Sequence, residues 1–358
     1  MSEKMLEYIR HQPEVLKRII CRRKDYLKAL IEKCGKTPYD RVILVGSGSS
    51  YNSCLIAKPM MEKFYGHEVT VLLPTSDINF FHTISGRKLI LAVSQEGTSS
   101  NTYAFIQKTQ ECASDADIFA VTSVEGSKLT EICDAAIIVG CGDETVGPKT
   151  VGVTSTVLTL WLTVLELTRM EGRNSVDEYD KIIGSIMQEI ELMPENIKVA
   201  ENWINSNKEF WSEAGSLAFL AQNQYLGIVS ESALKIDETL YIPSLAYDFE
   251  EFLHGPFCLF ERDGLHCIIL SGPNDDFDRT TRLKKFAIDK NAPCIVVGTG
   301  SGGTYESEIE LKIKNGGFAV FALLLPAQFA AAIVSEYMGQ SVESHDFVGF
   351  SKLMKSKL

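Results

Sequence analysis

The chain is predicted to be an α/β protein built from two tandem doubly wound parallel sheets, and three observations carry that expectation. Short apolar runs of strand type alternate with amphipathic helical stretches, as in βαβ units. The alternation occurs twice, on either side of a charged helical stretch. Two strands also run into turns rich in hydroxyls and glycine, Gly46-Ser47-Gly48-Ser49-Ser50 and Ser94-Gln95-Glu96-Gly97-Thr98-Ser99-Ser100, each followed by a helical pattern. In open α/β sheets ligand loops sit at such strand ends.

In chain order, residues 1–35 are amphipathic and basic in places (Lys17-Arg18, Arg22-Arg23-Lys24), which predicts a helical arm packed on the body or on a partner subunit. Residues 36–170 make the first sheet domain, with strands expected at 41–45, 69–73, 89–93, 117–122 and 135–140. A helical linker is expected over 171–208, and the second sheet domain over 209–345, with strands at 217–221, 266–270, 294–298 and 309–313. Residues 346–358 form a tail. The halves share pattern more than letters. The long apolar run Phe318–Val334 contains Pro326 and Gln328, and it is shorter than the ~20 residues a span needs, so a buried helix is preferred to a membrane segment.

Composition excludes several classes of function. At 358 residues and 45% apolar, the chain can bury two cores. A formal charge of −12 provides no broad basic surface for nucleic acid and argues against an anionic membrane, so any anion must be captured locally. Nine cysteines without a C-x-x-C pair point to reduced thiols in a cytoplasm. No metal cluster is evident and no cofactor is expected, and the charged first thirty residues argue against export.

Each hydroxyl loop offers backbone N–H groups, a helix N-terminus and Ser or Thr donors, which suits a phosphate. A dinucleotide fingerprint fails, because its third glycine falls at Tyr51 and no acid follows at the required strand end. An ordinary helix cap explains either loop alone; two together favour a phosphomonoester. In the second half, Val229, Ala233, Ile236 and Leu240 make one helical stripe, and Glu231, Lys235 and Glu238 share a face largely opposite it. The bland reading of that face is a solvated surface with an i,i+4 pair worth about 0.3 kcal/mol. Further on, Gly255 and Pro256 keep His254 on a loop, and a carboxylate with an imidazole can perform proton transfer.

These residues carry a resemblance. Ser47-Gly48-Ser49-Ser50-Tyr51-Asn52-Ser53, Ser94-Gln95-Glu96-Gly97-Thr98-Ser99, the stretch Glu144 to Thr150, Glu231-Ser232-Ala233-Leu234-Lys235 with Glu238, and His254-Gly255-Pro256 are similar, in order and spacing, to the motifs of the sugar isomerase (SIS) superfamily. The chain resembles the isomerase part of glucosamine-6-phosphate synthase and the stand-alone fructosamine 6-phosphate deglycases. The resemblance implies that Ser47, Ser49, Ser50, Ser94, Gln95 and Ser99 hold a sugar phosphate. It implies that Glu238 shuttles a proton between C1 and C2, and that His254 serves ring opening or acid/base work, in the synthase from the other subunit of a dimer. Glu231 and Lys235 match polar residues of the same helix face, and Lys149 and Thr150 match a loop closing on the sugar.

Departures refine the expectation. No glutaminase segment precedes the first sheet. Glu96 stands where the synthase pattern has a phosphate-binding serine, so it is expected to turn away or to pair with an ammonium on the substrate. The synthase's C-terminal lysine has no unambiguous counterpart; His345 or Lys352 could serve. Together these favour a small-molecule phosphosugar substrate, most of all a 6-phosphorylated ketosamine cleaved by a homodimeric cytoplasmic deglycase with its active site near the subunit interface. A plain aldose–ketose isomerase and a non-catalytic phosphosugar sensor are the alternatives.

Overall fold

Strands form where aliphatic and β-branched residues run together, because such side chains pack well on a pleated, covered surface. The computed structural model describes residues 2–34, 37–113, 115–299, 307–340 and 347–358, and ten strands lie among them. The first sheet comprises β1 (Arg41–Val45), β2 (Val69–Leu72), β3 (Lys88–Val93), β4 (Ala116–Thr122) and β5 (Ala135–Ile138). Its order is β2-β1-β3-β4-β5, with every pairing parallel. The second sheet comprises β6 (Ser216–Ala221), β7 (Ser244–Asp248), β8 (Leu265–Ser271), β9 (Cys294–Gly298) and β10 (Ile309–Glu310). It is also parallel, in the order β7-β6-β8-β9-β10. Counted within its own half, each sheet therefore runs 2-1-3-4-5, the flavodoxin-like doubly wound order. Two tandem sheets of one topology are the fold class the strand–helix alternation implied.

Central strands β3, β6 and β8 are buried at every residue, as expected when helices cover both faces of a parallel sheet. On the first sheet Ile43, Val45, Ile90 and Ala92 pack against Phe105 and Ile106 of the helix Ser100–Cys112. On the second, Leu220, Ile269 and Val296 pack with Phe249, Phe252 and Phe260. Strand β7 was not foreseen, because Ser244-Leu245-Ala246-Tyr247-Asp248 is a half-exposed edge without a β-branched run. At the opposite edge, β10 is two residues long, shorter than the expected 309–313.

Two helical stretches, Val151–Met170 and Val320–Tyr337, are long and apolar enough to cross a membrane by length and composition. Of their apolar windows, 100% and 89% are buried within the protein. Only the second stood out in the sequence. In the first, Trp161 Nε1 donates to the Ala57 carbonyl of the helix Ser49–Tyr65 at 3.1 Å, which ties a helix that is buried nearly all round into the core.

Contacts divide the chain into two units. One gathers Glu14–Glu144, Val151–Gly184 and Asp346–Leu358 around the first sheet, and the other gathers Met1–Pro13, Thr145–Thr150 and Ser185–His345 around the second. The charged stretch 171–208 is mostly one helix, Val176–Ser206.

Candidate functional site

In the first unit, the connections leaving β1 and β3 go to opposite faces of the sheet, so a crevice opens at the carboxyl ends of these neighbours. Both hydroxyl loops leave from these two strands. The first turns at Gly48, whose φ of +56° suits glycine, and enters the helix Ser49–Tyr65. Ser49 and Ser50 form its first turn, where the Ser49 carbonyl accepts from Ser53 Oγ at 2.7 Å. Asn101 then joins the loops. Its Nδ2 donates to Ser47 Oγ at 3.0 Å, and its Oδ1 accepts from Ser99 Oγ at 2.6 Å. Two hydroxyls expected at a phosphate are thereby brought to one side chain that sequence reasoning passed over.

The second loop is held tightly. Ser94 is buried, and Gly97 (φ +65°) lies so close to Ser127 that a Cβ would stand 2.0 Å from its Oγ. The Gln95 carbonyl accepts from Ser123 N at 2.8 Å and from Ser123 Oγ at 2.7 Å. Gln95 Nε2 donates to Glu144 Oε2 at 3.1 Å, and the same carboxylate oxygen accepts from Gly152 N at 3.0 Å in the first turn of the helix Val151–Met170. A buried carboxylate thus occupies that helix N-terminus and orients Gln95. Glu144 was legible only as part of a motif.

Glu96 has a cationic partner within the protein. Its Oε2 accepts from Lys357 Nζ at 2.6 Å. No ammonium on a substrate is needed to balance it, and the inference from Glu96 to an aminated ligand loses its premise. Lys357 lies just beyond the helix Phe347–Met354. Lys352 is exposed on that helix, and His345 falls outside the described residues. Of the described cations in this segment, Lys357 is the one whose side chain is paired with the loop.

In the second unit, the helix Leu226–Leu240 follows β6 and packs between the sheet and the helix Leu325–Tyr337. Covered on both sides, it buries most of the polar face that Glu231 and Lys235 make. Glu231 and Lys235 are each only 1% exposed, which overturns the solvated reading. Lys235 Nζ lies 2.7 Å from Glu238 Oε2 and 3.4 Å from Glu231 Oε1. Two carboxylates offset the desolvation of one buried ammonium, and in return its position fixes theirs. Glu238 keeps 29% of its side chain exposed, so the carboxylate that the resemblance marks for proton transfer remains accessible while its partner is buried.

His254 follows the short helix Phe249–Leu253, which is capped by Asp248 accepting from Glu250 N and Glu251 N. The imidazole is exposed, and no hydrogen bond or ion pair joins it to Glu238 among the described residues. Lys149 is half-buried with Nζ donating to the Val146 carbonyl at 3.2 Å, and the buried Thr150 accepts from Gln328 Nε2 at 3.4 Å through its carbonyl.

The second sheet has its own switch point, between β6 and β8, and the chain closes it with a side chain. There Asp275 accepts from Gly272 N at 2.8 Å and from Asn223 Nδ2 at 2.6 Å. Burial pushes the Asp275 carboxyl above its ordinary range. An internal acid already uses those donors, whereas the loops after β1 and β3 present serines.

Fold and motifs together define a tandem SIS-type α/β protein. No family model matches the chain. In sequence it is 28% identical over 268 residues, 72% of its length, to the glutamine–fructose-6-phosphate aminotransferase (isomerizing) of Clostridium perfringens. It is 25% identical over 277 residues, 77% of its length, to the enzyme of that name from Thermococcus kodakarensis. The matched parts are 43% and 45% of those proteins, so the chain spans less than half the length of the curated relatives it matches. A Clostridium difficile 630 protein assigned as a phosphosugar isomerase has the same fold, with a TM-score of 0.85 over 99% of both chains at 23% identity. In sequence and in fold the chain is thus similar to proteins of the sugar isomerase (SIS) type, the resemblance its motifs carry.

Proposed function

We propose that the chain is a phosphosugar-processing enzyme that moves a proton between C1 and C2 of its substrate, a 6-phosphorylated ketosamine of the fructoselysine 6-phosphate type. The phosphate is held by Ser47, Ser49, Ser50, Ser94, Gln95 and Ser99. His254, of the same subunit or of a homodimer partner, assists ring opening, and Glu231 and Lys235 hold Glu238 in place. Glu238 takes the proton from C1 and returns one to C2, which turns the ketosamine into the C1 imine of an aldose. Water adds to that imine, the C1–N bond breaks, and an amine and an aldose 6-phosphate leave.

The observation that carries this reading is the buried Lys235 fixed on a partly exposed Glu238, an anchored carboxylate open to a ligand. Relatives whose name joins fructose 6-phosphate, isomerisation and amino transfer support the chemical class. A second reading, a plain aldose–ketose isomerase, is favoured by the Glu96–Lys357 pair, which removes one reason for requiring an amine. Incubation with fructoselysine 6-phosphate, glucoselysine 6-phosphate, glucosamine 6-phosphate and fructose 6-phosphate, following amine release and hexose phosphate formation, decides. Turnover of fructose 6-phosphate alone selects the isomerase, and turnover of none leaves a sensor. Sedimentation of the native chain tests the dimer.

A further inference from the structure

The loop after β3 carries a carboxylate among hydroxyls, which would repel a phosphate if left uncompensated. The chain supplies the compensation from a distant segment. Residues 355–358 run alongside residues 98–100. Leu358 N donates to the Thr98 carbonyl at 2.8 Å, Ser100 N to the Ser356 carbonyl at 3.2 Å, and Ser100 Oγ to the Lys355 carbonyl at 2.7 Å. Lys357 pairs antiparallel with Ser99 in an isolated bridge. Its backbone is therefore pinned beside a loop serine, and its side chain reaches back to Glu96 at 2.6 Å. Both side chains remain about half exposed, 51% for Lys357 and 44% for Glu96, so the ammonium stands at the rim of the loop, accessible to a ligand.

We infer that Lys357, set beside the loop by the tail's backbone bonds, is a phosphate-recognition residue of this loop, and that Glu96 is the charge it offsets. The inference rests on the phosphosugar reading and deepens it, because it assigns a cation to a loop otherwise built of hydroxyls and backbone amides. The pair is locally neutral. Loss of Lys357 alone leaves a bare carboxylate beside the bound anion, whereas loss of both charges returns the loop to hydroxyl chemistry. A purely structural pair would shift neither affinity nor its salt dependence.

The test is calorimetric binding of fructose 6-phosphate and of inorganic phosphate to the full chain, as wild type, Lys357→Met, Glu96→Gln and the double variant. Lys357→Met is expected to weaken both ligands by about tenfold, as one uncompensated charge near the anion would. Glu96→Gln should bind at least as tightly as wild type, and the double variant should regain most of the loss. Turnover, where present, should change in KM and not in kcat. If wild type binds and Lys357→Met binds equally well or more tightly, the segment is a bystander or a plug and the inference falls while the phosphosugar reading stands. If wild type binds neither probe, both fall.

Discussion

Replacing Lys235 with methionine removes the positive charge between Glu231 and Glu238 while nearly conserving the length of the side chain. Lys235 and Glu231 are each 1% exposed, so the substitution leaves Glu231 as a buried carboxylate without its counter-ion. Breaking a buried pair in this way costs about 3–5 kcal/mol, against ~0–1 kcal/mol for an exposed one. Glu238 contributes little to that penalty, since 29% of it already faces water and can rehydrate. For a unit of this size, with ~2–4 °C of melting temperature per kcal/mol, the expected drop is roughly 6–20 °C. Urea unfolding followed by circular dichroism gives the free energy, and turnover should fall with it because Glu238 loses its anchor. Removing both charges in Glu231→Gln/Lys235→Met should recover much of the stability, since no bare charge remains buried. A loss below ~1 kcal/mol in Lys235→Met would refute the reasoning, because the triad would then be behaving as a surface pair.

Glu238→Gln should lower kcat by ~10²–10⁴-fold with phosphosugar affinity nearly unchanged, measured by steady-state kinetics beside calorimetry; lost affinity with intact chemistry would contradict its role. Gly97→Ala forces a Cβ at φ +65° to within 2.0 Å of Ser127 Oγ, so it should destabilise the first unit by about 1–3 kcal/mol and raise KM, both readable in one melting and one kinetic series. Burial holds the His266 imidazole below its ordinary 6.5, against the opposing effect of its Nδ1 contact with the Phe210 carbonyl at 2.6 Å. The unfolded chain then binds a proton that the folded one resists, so stability should decline as pH falls below 6.5 and level off once the folded value is passed. His266→Gln should flatten that limb in denaturation profiles, and an unchanged slope would assign it to other groups.

How much of this was legible can be judged element by element. Strands β1, β3, β4, β6, β8 and β9 stand in the sequence because a fully covered strand needs a continuous apolar run, and such a run is a local property. The edge strand β7 escapes this rule, unlike the edges β2 and β5 with their runs Val69-Thr70-Val71-Leu72 and Ala135-Ala136-Ile137-Ile138, because the half-exposed Ser244-Leu245-Ala246-Tyr247-Asp248 has no such run and carries no distinctive signal. The helical face of Glu231, Lys235 and Glu238 was readable from periodicity. Its burial was not, because periodicity orders side chains around an axis without saying what packs against each side.

The chain's letters alone determined the strand–helix alternation, its repetition in two halves, and the positions of the serine loops and the Glu238 helix, since each depends on residues within a few turns of one another. Only the folded state decided which groups meet across long separations: Asn101 between Ser47 and Ser99, Glu144 under Gln95, Asp275 across the second switch point, and Lys357 on Glu96 from 261 residues away. Local propensity acts through the nearest neighbours in the chain, whereas these partners are set by parallel strand order, which brings loops distant in sequence to one end of a sheet.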